Sequence, residues 1–198
     1  MISYFMRKII LLNVVFMSAI CFGQIKEHNC PEGSRFTKQK IGKETVCMCL
    51  VGDTLNGTTF IYSKNGSKLE ENNWVMGVKT GKWRTWNQKG ILTYEGNYSN
   101  GKLDGVETFY FDNGKSRTLT TYKDGIKEGR VAEWFANGKQ NTEGYFLNNK
   151  QDGIWIFRMP DNKTVSVARY ENGVEQTYKF VSWDKDEFSL EELEKKLD

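Results

Sequence analysis

A single histidine, His28, serves the whole chain of 198 residues. A Ser-His-Asp or Cys-His catalytic arrangement would have to be assembled around it, at the N-terminal end beside Cys30. The chain has no Gly-x-x-x-x-Gly-Lys-Ser/Thr stretch, so the loop that cradles nucleotide phosphates is missing. Adjacent carboxylates do occur, as at Glu70–Glu71 and Glu191–Glu192. Neighbouring side chains point to opposite faces of a strand and do not face each other on a helix. Such pairs therefore read as solvated surface, not as a glycosidase acid and base. A catalytic role is not expected, and no cofactor or metal is implied by any motif.

An excess of charge is lacking too. The formal net charge is +3, and Arg7 and Lys8 carry two of those charges. Without residues 1–23 the chain has 26 basic and 25 acidic residues, a net of +1. No electrostatic footprint for nucleic acid follows from that balance. Long apolar runs are confined to residues 9–22, which are interrupted only by Asn13 and Ser18. That run is short for a membrane span. Preceded by Arg7-Lys8 and closed by Gly23-Gln24, it reads as a secretory signal over residues 1–23, cleaved before Gln24. The expected location is periplasmic or extracellular. Membrane contact would arise only if the signal stayed uncut as an anchor. Bulky Ile20 ahead of Cys21 argues against lipidation.

Glycine is abundant, and its spacing organises the chain. Glycines stand at 57, 81, 105, 129 and 153, each interval being 24 residues. A second series runs 66, 90, 114 and 138, with Asn162 next in register, and a third runs 77, 101 and 125, then Asn149 and Gly173. Tyr62, Trp86, Tyr110 and Trp134 keep the same stride until Arg158 breaks it, and Trp74, Tyr98, Tyr122, Phe146 and Tyr170 keep it throughout. This is an internal repeat.

Within residues 105–128, two runs rich in aromatic and β-branched residues flank Asn113-Gly114. Asn-Gly between such runs signals a hairpin, because both residues tolerate positive φ. The dipeptide recurs at 65–66, 137–138 and 172–173, while Asn100-Gly101 and Asp124-Gly125 mark the turn between units. Gly105 and its equivalents are expected where the chain enters the next strand, and the ring columns to stack on their equivalents in neighbouring units. The fold class is thus all-β: an elongated, twisted antiparallel meander of about five hairpin units over residues 52–182. A Cys-containing segment, 24–51, precedes it. At residues 183–198, Ser189 with Glu192 forms a capping box and Leu190, Leu193 and Leu197 share one face, which predicts a short capping helix.

The pattern Tyr98, Gly101, Gly105, Tyr110, Gly114 resembles the MORN repeat in its bacterial variant, as found in YwqK-type proteins labelled as antitoxins. The resemblance covers residues 52–178. It implies a β-hairpin array that binds proteins or membranes or serves as a spacer, and the antitoxin label implies a cytoplasmic partner. The signal sequence points elsewhere. The expected function is therefore an exported, non-catalytic scaffold binding a protein or glycan at the cell envelope, with an antitoxin or immunity-like protein as the alternative. In unit five Arg158 and Asp161-Asn162 depart from the pattern, and Pro160 suggests an edge or bulge.

Trp83, Trp86, Trp134 and Trp155 are the candidate binding residues, with core packing as their competing role. Cys30, Cys47 and Cys49 follow the signal. In an oxidising compartment a disulfide is the default. Cys30 paired with either Cys47 or Cys49 would be worth about 3 kcal/mol in the chain-entropy model. Together with His28 the three sulfurs also match a tetrahedral zinc set in number, although Cys-x-Cys is tighter than the usual zinc pair.

Overall fold

A computed structural model describes residues 30–160, residues 164–182 and Lys195. Among these residues the chain is one open antiparallel sheet of fifteen strands. In chain order they are β1 (Arg35–Ile41), β2 (Glu44–Val51), β3 (Thr54–Leu55), β4 (Gly57–Tyr62), β5 (Lys68–Val75), β6 (Val78–Trp86), β7 (Leu92–Ser99), β8 (Lys102–Leu103), β9 (Gly105–Tyr110), β10 (Ser116–Lys123), β11 (Ile126–Trp134), β12 (Gln140–Leu147), β13 (Lys150–Arg158), β14 (Thr164–Glu171) and β15 (Val174–Ser182). Spatial order follows sequence order, as in a meander. The two-residue strands β3 and β8 lie beside β2 and β7 as the leading pieces of β4 and β9. The expected C-terminal helix lies outside the described residues except for Lys195.

The two turn series differ, and the reason each wants Asn or Gly differs too. Between units, both central residues have positive φ: Asn100 and Gly101 have 49° and 82°, Asp124 and Gly125 have 51° and 84°. This is the type I′ hairpin turn, whose twist matches that of the flanking strands. Asn172-Gly173 belongs to this series (52° and 84°), not to the hairpin tips with which its dipeptide groups it. The second turn residue donates its N–H back to the preceding unit: Gly101 to the Lys79 carbonyl (2.9 Å), Gly125 to Leu103 (2.7 Å), Asn149 to Lys127 (3.0 Å) and Gly173 to Gln151 (2.8 Å). The turns thereby stack like stairs, locking the 24-residue stride.

At the tips, only the glycine has positive φ; Asn113 and Asn137 do not. The Gly114 N–H bonds the Phe111 carbonyl (2.8 Å), and the Phe111 N–H bonds the Lys115 carbonyl (2.8 Å). That is a type I turn closed by a glycine bulge. Asn is favoured here for its side chain: Oδ1 of Asn113 accepts from the Lys115 N–H at 3.0 Å, and Oδ1 of Asn137 from the Lys139 N–H at 2.9 Å.

The glycines expected at strand starts open β4 and β9 in two units but lie inside β6, β11 and β13 in the others. Beside each of these three the pairing slips, as between Glu71↔Arg84 and Asn73↔Thr80. They mark β-bulges. The sheet also takes in part of the Cys-containing segment. β1 and β2 pair with each other, and β2 with β4. Val46, Met48 and Leu50 of β2 form a small core with Ile41, Leu55 and Ile61. β13 is an interior strand, paired on both sides. Pro160 lies two residues beyond its last residue, Arg158, where no ladder hydrogen bond is needed.

Candidate functional site

Alternation along each strand divides the side chains between two faces. The two aromatic columns of the sequence lie on opposite ones. Tyr62, Trp86, Tyr110 and Trp134 share the face of Arg84 and Arg130. Their column ends in Arg158, whose guanidinium lies 3.6 Å from Glu143. A partly buried charge network runs across this face. Lys68 pairs with Glu71 (2.7 Å), and Arg84 bridges Glu71 (3.4 Å) and Glu95 (2.5 Å). The hydrogen bond from Arg84 holds the Glu95 carboxyl below its ordinary range. The Lys68 ammonium also sits 4.2 Å from the centre of the Trp86 ring, close enough for cation–π attraction. A shallow depression of about 280 Å³, lined by Lys82, Glu95, Gly96, Asn97, Gly105 and Val106, opens near this network.

Trp74, Tyr98, Tyr122, Phe146 and Tyr170 lie on the other face. Among the ring contacts of the described residues, they do not stack on one another. A wedge residue from the next strand stands between successive members. Trp83 touches Trp74 (ring centres 4.9 Å apart) and Tyr98 (5.2 Å). Trp155 touches Phe146 (5.2 Å) and Tyr170 (6.1 Å). A 24-residue stride brings two members too far apart for ring contact, because one strand intervenes and the members stand two strand spacings of about 4.8 Å apart. The wedge column is Thr59, Trp83, Glu107, Val131 and Trp155, and its mixed chemistry hides it from a search for aromatic columns.

Each wedge tryptophan donates its indole N–H to a carbonyl beside a bulge: Trp83 to Asn73 and Trp155 to Tyr145, both at 3.2 Å. Trp155 lies over Gly144, where a Cβ would overlap the indole. Trp83 and Trp155 are buried, with 6% and 5% exposure, whereas Trp86 and Trp134 are half-buried. The four candidate tryptophans thus divide two and two: one pair inside the ring stack, the other on the charged face.

Unit three departs from this pattern. Its wedge is a carboxylate, Glu107, between Tyr98 and Tyr122. Tyr94, from a position held by Glu70, Thr118, Thr142 and Ser166 in the other units, donates its hydroxyl to Glu107 Oε1 at 3.2 Å and lies 3.2 Å from the Tyr98 hydroxyl. Tyr122 lies close enough for the Glu107 charge to act on its hydroxyl. A Cβ on Gly96 would collide with the Tyr94 hydroxyl, so the phenol lies down along its own strand. Burial raises the Tyr94 hydroxyl far above the ordinary phenol range, with Tyr98 and Glu107 adding to the effect. Tyr122 is pushed up to about 12 by burial and then by the Glu107 charge. The sequence reading missed this cluster. The usable signal was that Tyr94 and Glu107 break their columns in adjoining units, 13 residues apart.

Cys30 and Cys49 form a disulfide, with Cα atoms 5.5 Å apart. Cys47 is fully buried outside that bond. The disulfide holds Pro31 against Gly57, where an added Cβ would come 2.7 Å from Pro31 Cδ. Two of the sulfurs in the zinc alternative are consumed by this bond, and His28 lies outside the described residues. Among the described residues, no group of three His, Cys, Asp or Glu side chains is placed to hold a metal ion.

No protein-family model matches the chain, and a comparison with curated proteins finds no match. The chain is an all-β repeat array whose two faces carry different chemistry.

Proposed function

We propose that the chain is an exported, non-catalytic repeat scaffold that binds a protein or glycan at the cell envelope. The observation that carries this reading is the open sheet itself. Each face presents a ring column at 24-residue stride, and the sheet's two outer strands, β1 and β15, are far apart in the strand order. A surface of this kind suits contact with an extended partner, and stability built from neighbouring units supports it without a central core. The half-buried Trp86 and Trp134, on the face that carries Arg84 and Arg130, fit the residue types that dominate protein interfaces. The Cys30–Cys49 disulfide is compatible with an oxidising compartment.

The test has two parts. Fractionation of the parent cell is expected to place the chain in the envelope or outside it, beginning at Gln24. The mature protein, used as bait on envelope extracts, is expected to recover a partner that a Trp86→Ala/Trp134→Ala variant loses. A chain confined to the cytoplasm in a tight one-to-one complex would favour the antitoxin alternative. Recovery of nothing above background would reduce the array to a spacer.

A further inference from the structure

We propose that Tyr94, Tyr98, Tyr122 and Glu107 form a recognition site for a neutral, pyranose-containing glycan; this rests on the scaffold reading and specifies its ligand. The two wedge tryptophans show what this position does when its role is packing: the indole fills the gap between two column rings and is buried. Glu107 puts a charge in that gap. A carboxylate adds nothing to ring packing and is unfavourable to desolvate. Three phenols lie around it, and one of them, Tyr94, is supplied by the preceding unit at a position that holds no other phenol, and fits only because residue 96 is glycine.

The geometry chooses the ligand. Hydroxyl groups, not ring faces, converge on Glu107 through the Tyr94–Glu107 and Tyr94–Tyr98 hydrogen bonds. An aromatic cage for a quaternary ammonium needs ring faces turned inward. Here the Tyr94 proton goes to Glu107, so the Tyr98 hydroxyl donates to the Tyr94 oxygen. The carboxylate keeps acceptor capacity beyond its phenol donor, Tyr94. Acceptors of this kind, set among phenol hydroxyls, match the hydroxyl groups of a sugar. On one side the half-buried Phe109 continues the ring surface, 5.0 Å from Tyr94; on the other, buried Trp83 backs Tyr98 at 5.2 Å, with the Lys79 ammonium 4.1 Å from its ring. Rings flanking a cluster of hydrogen-bonding groups are the composition of a small-molecule site with one apolar and one polar component. The negative charge of Glu107 disfavours sulfated, phosphorylated or uronic sugars.

The experiment uses the full-length oxidised protein, titrated calorimetrically with chitohexaose, maltohexaose and, separately, tetramethylammonium chloride. At least one oligosaccharide is expected to bind with a Kd at or below about 1 mM. Glu107→Trp installs the residue that units two and five already carry. It is expected to weaken binding at least about tenfold without lowering the melting temperature. Tyr94→Phe, which keeps the ring and removes the hydroxyl, is expected to weaken it in the same direction. Three outcomes would overturn the assignment: no heat with either sugar up to about 10 mM, equal binding by Glu107→Trp, or binding of the ammonium ion in place of sugars. If the glycan result is negative while an envelope protein is captured through Trp86 and Trp134, the scaffold stands and this site does not. If neither is found, both fail.

Discussion

Gly144 lies beneath the indole of Trp155, and its backbone is extended, unlike the positive-φ glycines of the turns and bulges. Its requirement is steric. Gly144→Ala places a methyl group inside the ring, so either the indole or the strand must move. Overpacking of this kind costs about 1–3 kcal/mol. At Gly90, whose φ is 78° with open space around it, alanine meets only backbone strain, of about 1–2 kcal/mol. Urea denaturation of the two variants is expected to show the larger midpoint shift for Gly144→Ala, accompanied by a changed tryptophan fluorescence spectrum. A spectrum identical to the parent's would place the indole elsewhere.

The wedge tryptophans are expected to carry stability and the charged-face tryptophans to carry little. Trp155→Ala removes a buried ring that contacts Phe146, Phe157 and Tyr170, a loss of about 3–5 kcal/mol. Trp134→Ala, at a half-buried position, is expected to cost clearly less. Equal losses in denaturant titrations would contradict the division of the two faces.

Reducing the Cys30–Cys49 bond is expected to act locally. The chain-entropy model assigns about 3 kcal/mol to a loop of this length. In a stacked array each unit contacts its neighbours only. Dithiothreitol or Cys30→Ala should therefore raise amide exchange in β1, β2 and β4 while leaving β13 and β14 protected. Uniform loss of protection along the sheet would mean that the array unfolds as one cooperative block.

Alkaline pH is expected to weaken the centre of the array. Tyr122 titrates at about 12 in the folded chain, above the phenol value of about 10 in an unfolded one. The fold thus favours the neutral phenol. Its contribution is complete below about pH 10 and disappears as pH rises from there through about 12. Tyr94 is shifted in the same direction, by burial first. Absorbance at 295 nm is expected to show late-titrating phenols, and Glu107→Gln should make the Tyr122 step earlier by removing a nearby negative charge. An unchanged titration in that variant would sever Tyr122 from Glu107.

Much of this could be read along the chain. Strand positions, hinge positions and stride follow from local chemistry: Asn-Gly and Asp-Gly pairs adopt positive φ without help, and rings flank them at fixed intervals. Even there the mechanism at the tips was different, since Asn113 acts through its side chain and not its φ. Early glycines Gly33 and Gly42 keep the 24-residue stride with Gly57 and Gly66, so the first hairpin was also legible in principle. Its column rings are replaced by Lys38 and Leu50, which hid the unit from a search for aromatics.

The sequence by itself determined that the chain folds back at constant stride into an antiparallel meander, because turn propensity and strand alternation are properties of a few consecutive residues. Only the tertiary structure decided which residues meet. Bulges beside Gly81, Gly129 and Gly153 shift the pairing, and the sheet interposes a strand between one column ring and the next. Contacts that depend on that shift and that spacing, Trp155 on Gly144 and Tyr94 on Glu107 among them, join residues whose intervals lie outside the 24-residue stride.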